Sequence, residues 1–241
     1  MDYTFTDLSK MIDHSLLNPT ITADALEAGC RLAVAYDTAS VCIMPFALKR
    51  CAELLAGSTV KPSTTIGFPH GVNTTAIKVA EAQQALKDGG LELDMVVNIS
   101  KVLSGDWSYV RGDLKAVIDV THAGKAKVKV IFENAYLKDE HKIRLCEICS
   151  ELKADWVKTS TGYAPSGATI EDLKLMRAHT PQSVQVKAAG GVRTLDKMLE
   201  VRAVGASRVG ATATAVILDE ARRRLNLPAI EVKQAAQPAG Y

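Results

Sequence analysis

Eight short β-rich runs recur along this 241-residue chain, and stretches with helical apolar spacing separate them. The predicted strands lie near Met11–Asp13, Ser40–Met44, Thr64–Phe68, Leu93–Ile99, Lys127–Glu133, Trp156–Thr159, Val184–Ala188 and Ser207–Gly210. Regular alternation of strand and helix indicates parallel strands joined by helical crossovers. Eight units in a chain of this length predict an α/β fold of the (β/α)8 barrel type, with a doubly wound open sheet as the structural alternative.

The segments between the predicted strands carry helix start and stop signals. Thr169, with Asp172 three residues later, has the form of a capping box, and Thr194 precedes an apolar stripe at helical spacing. An alanine-rich segment over residues 72–90 ends at two glycines, a frequent C-terminal signal. No linker divides the chain, so we predict a single barrel domain over residues 1–226 and a loosely held tail over residues 227–241.

The charges of the chain nearly balance, with 29 basic and 27 acidic residues and a net charge of +2. This balance gives no electrostatic reason to expect nucleic acid or a membrane surface as a partner. The N-terminal sequence does not resemble a signal peptide, and no run approaches the ~20 apolar residues of a membrane span. The five scattered cysteines do not form a disulfide pattern, so we expect a reduced, cytoplasmic protein.

Cys146 and Cys149 form a C-x-x-C pattern inside a segment with helical apolar spacing. No second cysteine pair completes a zinc set, so packing within a helix is favoured over a metal site. Cys42 stands at a strand end, where we favour packing over a role as a reactive thiol. We therefore expect neither a metal nor an organic cofactor.

Two lysines, Lys158 in WVKTSTG and Lys187 in VQVKAAGG, follow the apolar runs of neighbouring predicted strands. Active sites of barrels lie at the carboxyl ends of the strands. Lysine is rarely buried without a partner, and either side chain alone could point outward as an ordinary solvated group. The occurrence of both, each followed by a loop with glycine, favours a functional site.

The proposed chemistry is imine formation. A free lysine has a pKa of about 10.4, and both burial and a second cation nearby lower it. Adjacent strands lie about 4.8 Å apart, so inward-facing Lys158 and Lys187 would repel each other and one would become a neutral nucleophile. Asp94, set between apolar residues of the fourth strand, would supply a carboxylate for proton transfer. These arguments leave open which lysine attacks.

Glycine-bearing loops after the last three strands predict a phosphate site. Loops after strands seven and eight of barrels commonly bind phosphate through backbone N–H groups and a helix N-terminus. Arg193 would pair with the phosphate or lie at a helix start as a surface charge. The candidate phosphate residues are Gly162, Gly190, Gly191, Arg193, Gly210 and Thr212.

The strand sequences resemble those of the deoxyribose-phosphate aldolase family, in family order over roughly residues 10 to 220. The matching segments are IDHSLL, VCIMP, IGFPHG, LELDMVVNIS, KVIFEN, VKTSTGYAPSGATIEDLKLM, VKAAGGVRT and SRVGAT. The resemblance implies a class I aldolase that reversibly cleaves 2-deoxy-D-ribose 5-phosphate into D-glyceraldehyde 3-phosphate and acetaldehyde. It also implies that Lys158 forms the imine, Lys187 perturbs it and Asp94 transfers protons. The last loop reads Gly-Ala-Thr-Ala where the family often has serines, which leaves open the hydroxyl contact from Thr212.

Three alternatives remain open: a metal-dependent aldolase, another imine-forming barrel aldolase acting on a different sugar phosphate, and a non-catalytic phosphosugar-binding barrel. The expected partners are small phosphorylated sugars and aldehydes. A homodimer is our working expectation, although the sequence does not determine the oligomeric state. Tyr241 at the end of the tail could fold over the barrel mouth and present a phenol, although most terminal tails do nothing of the kind.

Overall fold

In the computed structural model, which describes residues 2–232, eight parallel strands close into a barrel in chain order. The strands are β1 Ile12–Leu16, β2 Ser40–Ile43, β3 Lys61–Ile66, β4 Glu92–Val96, β5 Lys127–Ile131, β6 Trp156–Lys158, β7 Gln185–Ala189 and β8 Ala206–Ala211. Pairing of β1 with both β2 and β8 closes the sheet. The predicted (β/α)8 barrel is confirmed, and the open-sheet alternative is excluded.

Helices cover the outside of the barrel. They are α1 Phe5–Ser9, α2 Ala23–Ala35, α3 Leu48–Leu54, α4 Thr75–Lys87, α5 Ile99–Leu103, α6 Trp107–Ala123, α7 Asp139–Glu151, α8 Ile170–Ala178, α9 Leu195–Ala203 and α10 Thr214–Arg224. The helix α1 precedes the first strand and packs against α10. None of the helices in residues 2–232 combines the length and apolar character that crossing a bilayer requires.

Threonine caps begin several of these helices, as the sequence predicts. The Thr169 hydroxyl accepts a hydrogen bond from the Asp172 N–H at the start of α8, and Thr194 accepts one from the Lys197 N–H at the start of α9. These side chains satisfy backbone donors that the helix itself leaves unpaired. Each cap therefore fixes where a loop at the barrel mouth ends and its helix begins.

Five predicted strands end one to three residues earlier than expected, and the cause is visible in the fourth and the fifth. The fourth was predicted to reach Ile99, but β4 ends at Val96 because the Asn98 side chain caps α5 by accepting from the Lys101 N–H. The fifth was predicted to include Glu133, which instead adopts a left-handed backbone with φ +60°. Both residues therefore belong to the loops at the carboxyl ends of the strands.

The interior of the barrel is charged, whereas the layer between strands and helices is apolar. In β4, Glu92 and Asp94 point into the barrel, and the alternate residues Leu93 and Met95 join the apolar core. Alternation along a strand places these two sets on opposite faces. Barrel interiors are more often filled by branched apolar side chains, so the charged filling marks where the chemistry lies.

The end of the described chain bears on the predicted tail. Residues 227–232 form neither helix nor strand, and Ile230 and Val232 pack against the core. Residues 233–241, including Tyr241, lie outside the described residues. The boundary at residue 226 stays a prediction.

Candidate active site

The two predicted lysines and the predicted aspartate meet inside the barrel. Lys158 ends β6, Lys187 lies in the middle of β7, and the two are direct partners in the parallel pairing of these strands. Both ammonium groups donate to the same carboxylate oxygen, Oδ2 of Asp94, at 2.8 Å. All three side chains are buried. The structure thus places both lysines inward, and the solvated alternative for either one is excluded.

Four further charged residues join this cluster, and none of them was among the predicted site residues. Lys129 on β5 donates to Asp94 Oδ1 at 2.8 Å and lies 2.6 Å from Glu92 Oε2. Asp13 on β1 forms an ion pair with Lys187, whose Nζ lies 2.6 Å from Asp13 Oδ2. Arg208 on β8 contacts Asp13 and lies 2.8 Å from Glu92 Oε1. We call the seven side chains of this paragraph and the previous one the charge network.

The charge network contains four cationic side chains and three carboxylates. Buried charges are costly unless they are balanced, so loss of one proton would bring the network to neutrality. Among the described residues Lys158 contacts one carboxylate, whereas Lys187 contacts two and Lys129 three. Lys158 is therefore the cation that the network holds least tightly.

The direction of the pKa shifts agrees with this count. Burial, reinforced by the charge of Lys187, lowers the pKa of Lys158 despite the attraction of Asp94. Burial acts the same way on Lys187, but Asp13 and Asp94 outweigh it and raise its pKa. The pKa of Asp94 lies below its ordinary value because the three lysines outweigh the effect of burial. At neutral pH the network thus favours a neutral amine on Lys158 over one on Lys187.

The four residues of the charge network that were not predicted are only weakly indicated by the sequence. Alternation in the segment KVKVI places Lys127 and Lys129 on one face of β5, yet Lys127 is exposed at the barrel rim and Lys129 is fully buried. Asp13 is visible as a polar residue in the first strand, but its contact with Arg208 joins residues 195 positions apart. The barrel closure that creates this contact is not encoded by local pattern.

A cavity at the carboxyl ends of the strands opens beside the two lysines. Its lining includes the predicted phosphate residues Gly162, Gly190, Gly191, Arg193, Gly210 and Thr212, together with Lys158 and Lys187. The structure thus brings all six candidates to one place, next to the amine that the charge network leaves least paired.

The backbone conformation and close packing explain the glycine at position 190. Gly190 has φ +79°, and a Cβ there would lie 2.8 Å from the Cα of Gly167. Gly210 has no such restriction, since a Cβ there would lie at an ordinary van der Waals distance of 3.6 Å from the Cε of Lys187. The helix α10 begins just beyond Gly210, and its N-cap residue Ala213 offers no side-chain oxygen to the first N–H groups. These donors remain available for an anion.

The loop after β6 is fastened across the mouth of the barrel. Buried Glu133 accepts hydrogen bonds from the N–H and the hydroxyl of Thr161. Tyr163 donates its hydroxyl proton to the carbonyl of Leu17 at 2.7 Å and meets the ring of Phe68 edge-on. Burial raises the pKa of Glu133. The loop that carries Gly162 is therefore held from both sides.

The cysteines pack as favoured from the sequence. Cys146 and Cys149 are buried in α7 within the apolar core, and burial raises the pKa of both thiols. Cys42 lines the cavity but is itself 2% exposed, and burial raises its pKa as well. Within residues 2–232 no three His, Cys, Asp or Glu side chains are grouped so that they could hold a metal ion.

Comparison with known proteins gives consistent matches over most of the chain. A family model described as DeoC/LacD family aldolase matches residues 8–215. A deoxyribose-phosphate aldolase of Rhodopirellula baltica is 64% identical over 240 residues, covering 100% of this chain and 99% of that protein. The structure of an aldolase designated QR15 is 35% identical with a TM-score of 0.86, covering 92% of this chain and 99% of that one.

A third relative carries information about assembly. The structure of deoxyribose phosphate aldolase from Aeropyrum pernix, described as a unique tetramer, is 28% identical to this chain with a TM-score of 0.84. The match covers 91% of this chain and 92% of that one.

Proposed function

Because this chain belongs to the DeoC/LacD family of aldolases, we propose that it is a deoxyribose-phosphate aldolase, a carbon–carbon lyase. The resemblance predicted from the sequence is confirmed at the level of the family. The reaction is the reversible cleavage of 2-deoxy-D-ribose 5-phosphate to D-glyceraldehyde 3-phosphate and acetaldehyde. The strongest support for this substrate is the 64% identity to a deoxyribose-phosphate aldolase along the whole chain.

The observation that carries the mechanism is the unequal pairing of the two lysines. Lys158, which contacts a single carboxylate, adds as a neutral amine to C1 of the open-chain sugar, and loss of water gives the imine. Removal of the proton from the 3-hydroxyl breaks the C2–C3 bond and releases glyceraldehyde 3-phosphate. The electron pair moves into the enamine, which takes a proton at C2 before water releases acetaldehyde and restores Lys158.

Asp94 and Lys187 support the proton transfers. At rest the Asp94 carboxylate is held as an anion by three lysines. Once Lys158 has lost its proton and its nitrogen has become part of the neutral carbinolamine, only two of these cations remain and Asp94 binds a proton more readily. Lys187 remains protonated between two carboxylates and lowers the proton affinity of Lys158 from the neighbouring strand.

The phosphate of the substrate binds in the loops after β6, β7 and β8. The N–H groups of Gly162, Gly190 and Gly191, together with the start of α10, supply donors, and Arg193 supplies an exposed positive charge at the cavity. Binding there aligns the aldehyde end of the sugar with Lys158. No metal or organic cofactor takes part, since the imine itself serves as the electron sink.

Assembly and location complete the proposal. We infer a homo-oligomer with a dimer as its basic unit, supported by the tetramer described for the Aeropyrum pernix relative. A reduced, cytoplasmic location is supported by the five cysteines, all of which are buried and unpaired.

Borohydride trapping tests the mechanism directly. The enzyme is incubated with acetaldehyde, reduced with borohydride and digested, and the modified peptide is identified by mass spectrometry. We expect an N-ethyl group on Lys158 and unchanged activity in the presence of a chelator. Modification confined to Lys187 would reverse the assignment of the lysines, and activity that a chelator abolishes without any adduct would point to a metal-dependent aldolase.

A further inference from the structure

A second cavity lies at the opposite end of the barrel, where the strands begin. Its volume is about 560 Å³, within the range of small-molecule sites. It is lined by Lys10, Ala39, Thr59, Lys61, Leu91, Glu92, Lys125, Lys127 and Arg208. We call it the amino-end cavity. None of its lining residues borders the cavity beside Lys158.

The lining of the amino-end cavity is strongly basic. Five of its residues are lysine or arginine, and Glu92 is its one carboxylate. That carboxylate is already neutralised by Lys129 at 2.6 Å and Arg208 at 2.8 Å. Lys10 is paired with Asp37 at 2.6 Å. The remaining positive charge is therefore carried by three exposed lysines, Lys61, Lys125 and Lys127.

These three lysines lack acidic partners in the described part of the chain. No ion pair within residues 2–232 involves Lys61 or Lys125, and Lys127 lies over the ring of Trp156 at 5.2 Å. Like charges that share one concave surface repel one another, and the concave shape concentrates their field. An anion bound there would relieve the repulsion, which distinguishes this cavity from an ordinary solvated surface.

Parts of the surface are held in place before any ligand arrives. The indole N–H of Trp156, beneath Lys127, donates to the Ser207 hydroxyl at 3.1 Å. Lys125 occupies a left-handed backbone position with φ +58°, which most side chains avoid. This position follows the C-terminus of α6, where the Lys125 N–H donates to the His122 carbonyl at 2.9 Å and the Ala126 N–H donates to the Thr121 carbonyl at 3.1 Å. Lys125 and Lys127 therefore project from a part of the amino-end cavity whose backbone and indole ring are already held in place.

From these observations we propose that the amino-end cavity is a second anion site, which binds a small polyanionic phosphate such as diphosphate or a sugar phosphate. The ligand bridges Lys61, Lys125 and Lys127, whose charges no carboxylate lining the cavity offsets. This site is separate from the phosphate position in the active-site cavity, and its existence does not depend on the aldolase mechanism.

Isothermal titration calorimetry with inorganic diphosphate at constant ionic strength tests the proposal. The test variant combines Lys61→Gln, Lys125→Asn and Lys127→Gln, with asparagine at 125 because it tolerates a positive φ. The matched control removes three exposed lysines elsewhere, with Lys49→Gln, Lys87→Gln and Lys174→Gln. We expect the test variant to bind at the amino-end cavity about 10- to 100-fold more weakly, so that one binding event per chain is lost. The control should bind as the natural protein does.

Equal stoichiometry and affinity in all three proteins would overturn the proposal, as would equal losses in the test and control variants. Titration with ribose 5-phosphate alongside diphosphate distinguishes a phosphate ester from the free anion as the preferred ligand.

Lysine footprinting on the natural protein gives an answer even if the test variant does not fold. Acetylation of exposed lysines is quantified by mass spectrometry with and without diphosphate. Selective protection of Lys61, Lys125 and Lys127 relative to Lys49 and Lys87 is expected. Uniform labelling in both conditions would contradict the site.

Discussion

The neighbouring strands β6 and β7 each carry a buried lysine at the same register position, and yet the surroundings of the two lysines differ. Lys158 and Lys187 both donate to Asp94 Oδ2 at 2.8 Å, but the pKa of the first is lowered and that of the second is raised. The difference is Asp13, whose Oδ2 lies 2.6 Å from Lys187. The lysine whose pKa is lowered is thus the one that lacks a second carboxylate partner among the described residues.

The topology explains why Asp13 serves one lysine and not the other. Asp13 lies on β1, which pairs with β8, and β8 pairs with β7. Closing the barrel therefore brings the first strand to the β7 side of the cavity. The strand β6 lies one position further away and receives no second carboxylate. Two nearly equivalent lysines are thus distinguished by their distance from the point of closure.

Substitution of each lysine in turn is the strongest test of the difference between Lys158 and Lys187. Lys158→Leu should lower kcat/KM for 2-deoxyribose 5-phosphate by about 10⁴-fold or more, because the nucleophile is lost. Lys187→Leu leaves three cations with three carboxylates, so Lys158 keeps its proton more firmly. This variant should still form the borohydride adduct, but only at higher pH than the natural protein does.

Steady-state kinetics and the pH dependence of trapping provide the readouts. Near-natural activity of Lys158→Leu would refute the assignment. An unchanged pH dependence in Lys187→Leu would show that repulsion between the two lysines is not what lowers the pKa of Lys158.

The carboxylate that the lysines share is the next target. Asp94→Asn should lower kcat by about 10²- to 10⁴-fold, the range typical of a lost acid–base group. Exchange of the acetaldehyde methyl protons with deuterated water, followed by NMR, should slow by a similar factor. Normal exchange in a folded Asn variant would assign the proton transfer to another group.

The substitution Asp13→Asn should make the pKa values of Lys158 and Lys187 more alike. Without the second carboxylate the pKa of Lys187 falls, so borohydride should trap acetaldehyde on Lys187 as well as on Lys158. The free energy of unfolding should fall by about 3 kcal/mol, because a buried ion pair is broken. Peptide mapping and denaturant unfolding measure the two effects. Trapping on Lys158 alone would show that Asp13 does not separate the lysines.

The loss of unfolding free energy in Asp13→Asn should depend on pH, and this dependence serves as a control for the ion-pair explanation. The pKa of Asp13 is well below its ordinary value in the folded protein, so its contribution is complete above the unfolded-state pKa of about 3.9. The contribution is lost as the pH falls towards the folded-state value. The gap in unfolding free energy between the natural protein and Asp13→Asn should thus be constant near neutrality and shrink below about pH 4.

The smallest effect is expected in the loop after β7. Arg193→Gln should raise KM for the phosphorylated sugar by up to about tenfold, since an exposed ion pair contributes little free energy. Both kcat and the trapping of unphosphorylated acetaldehyde should be unchanged. A fall in kcat with unchanged KM would move Arg193 from phosphate binding to the chemistry.

Short-range pattern was enough to predict the barrel, the meeting of Lys158, Lys187 and Asp94, and the common position of the candidate phosphate residues. The catalytic and binding roles of these residues stay predictions. Strand and helix alternation is local, and Lys158, Lys187 and Asp94 stand in recognisable strand-end segments. The remainder of the charge network was missed. Whether Lys129 points inward depends on strand register and tilt, which alternation alone does not supply.

The predicted ends of β4 and β5 were wrong for a related reason. Strand β4 looks longer in the sequence because apolar residues continue to Ile99, but a side-chain cap at Asn98 begins α5 there. Glu133 continues an apolar run in the same way, and its left-handed backbone is set by the contacts of its carboxylate with Thr161. Side-chain contacts of single polar residues thus mark both ends, a local cap at Asn98 and a long-range contact at Glu133.

The odd count of charges inside the barrel has a consequence for how this enzyme can change. Four cations against three carboxylates leave an excess of one positive charge, and any single substitution that removes or reverses a charge alters this excess. Paired substitutions such as Asp13→Asn with Lys129→Met preserve it. Adaptation of the barrel to other aldehydes should therefore be easiest in the surrounding loops, where residues change one at a time without disturbing the balance within.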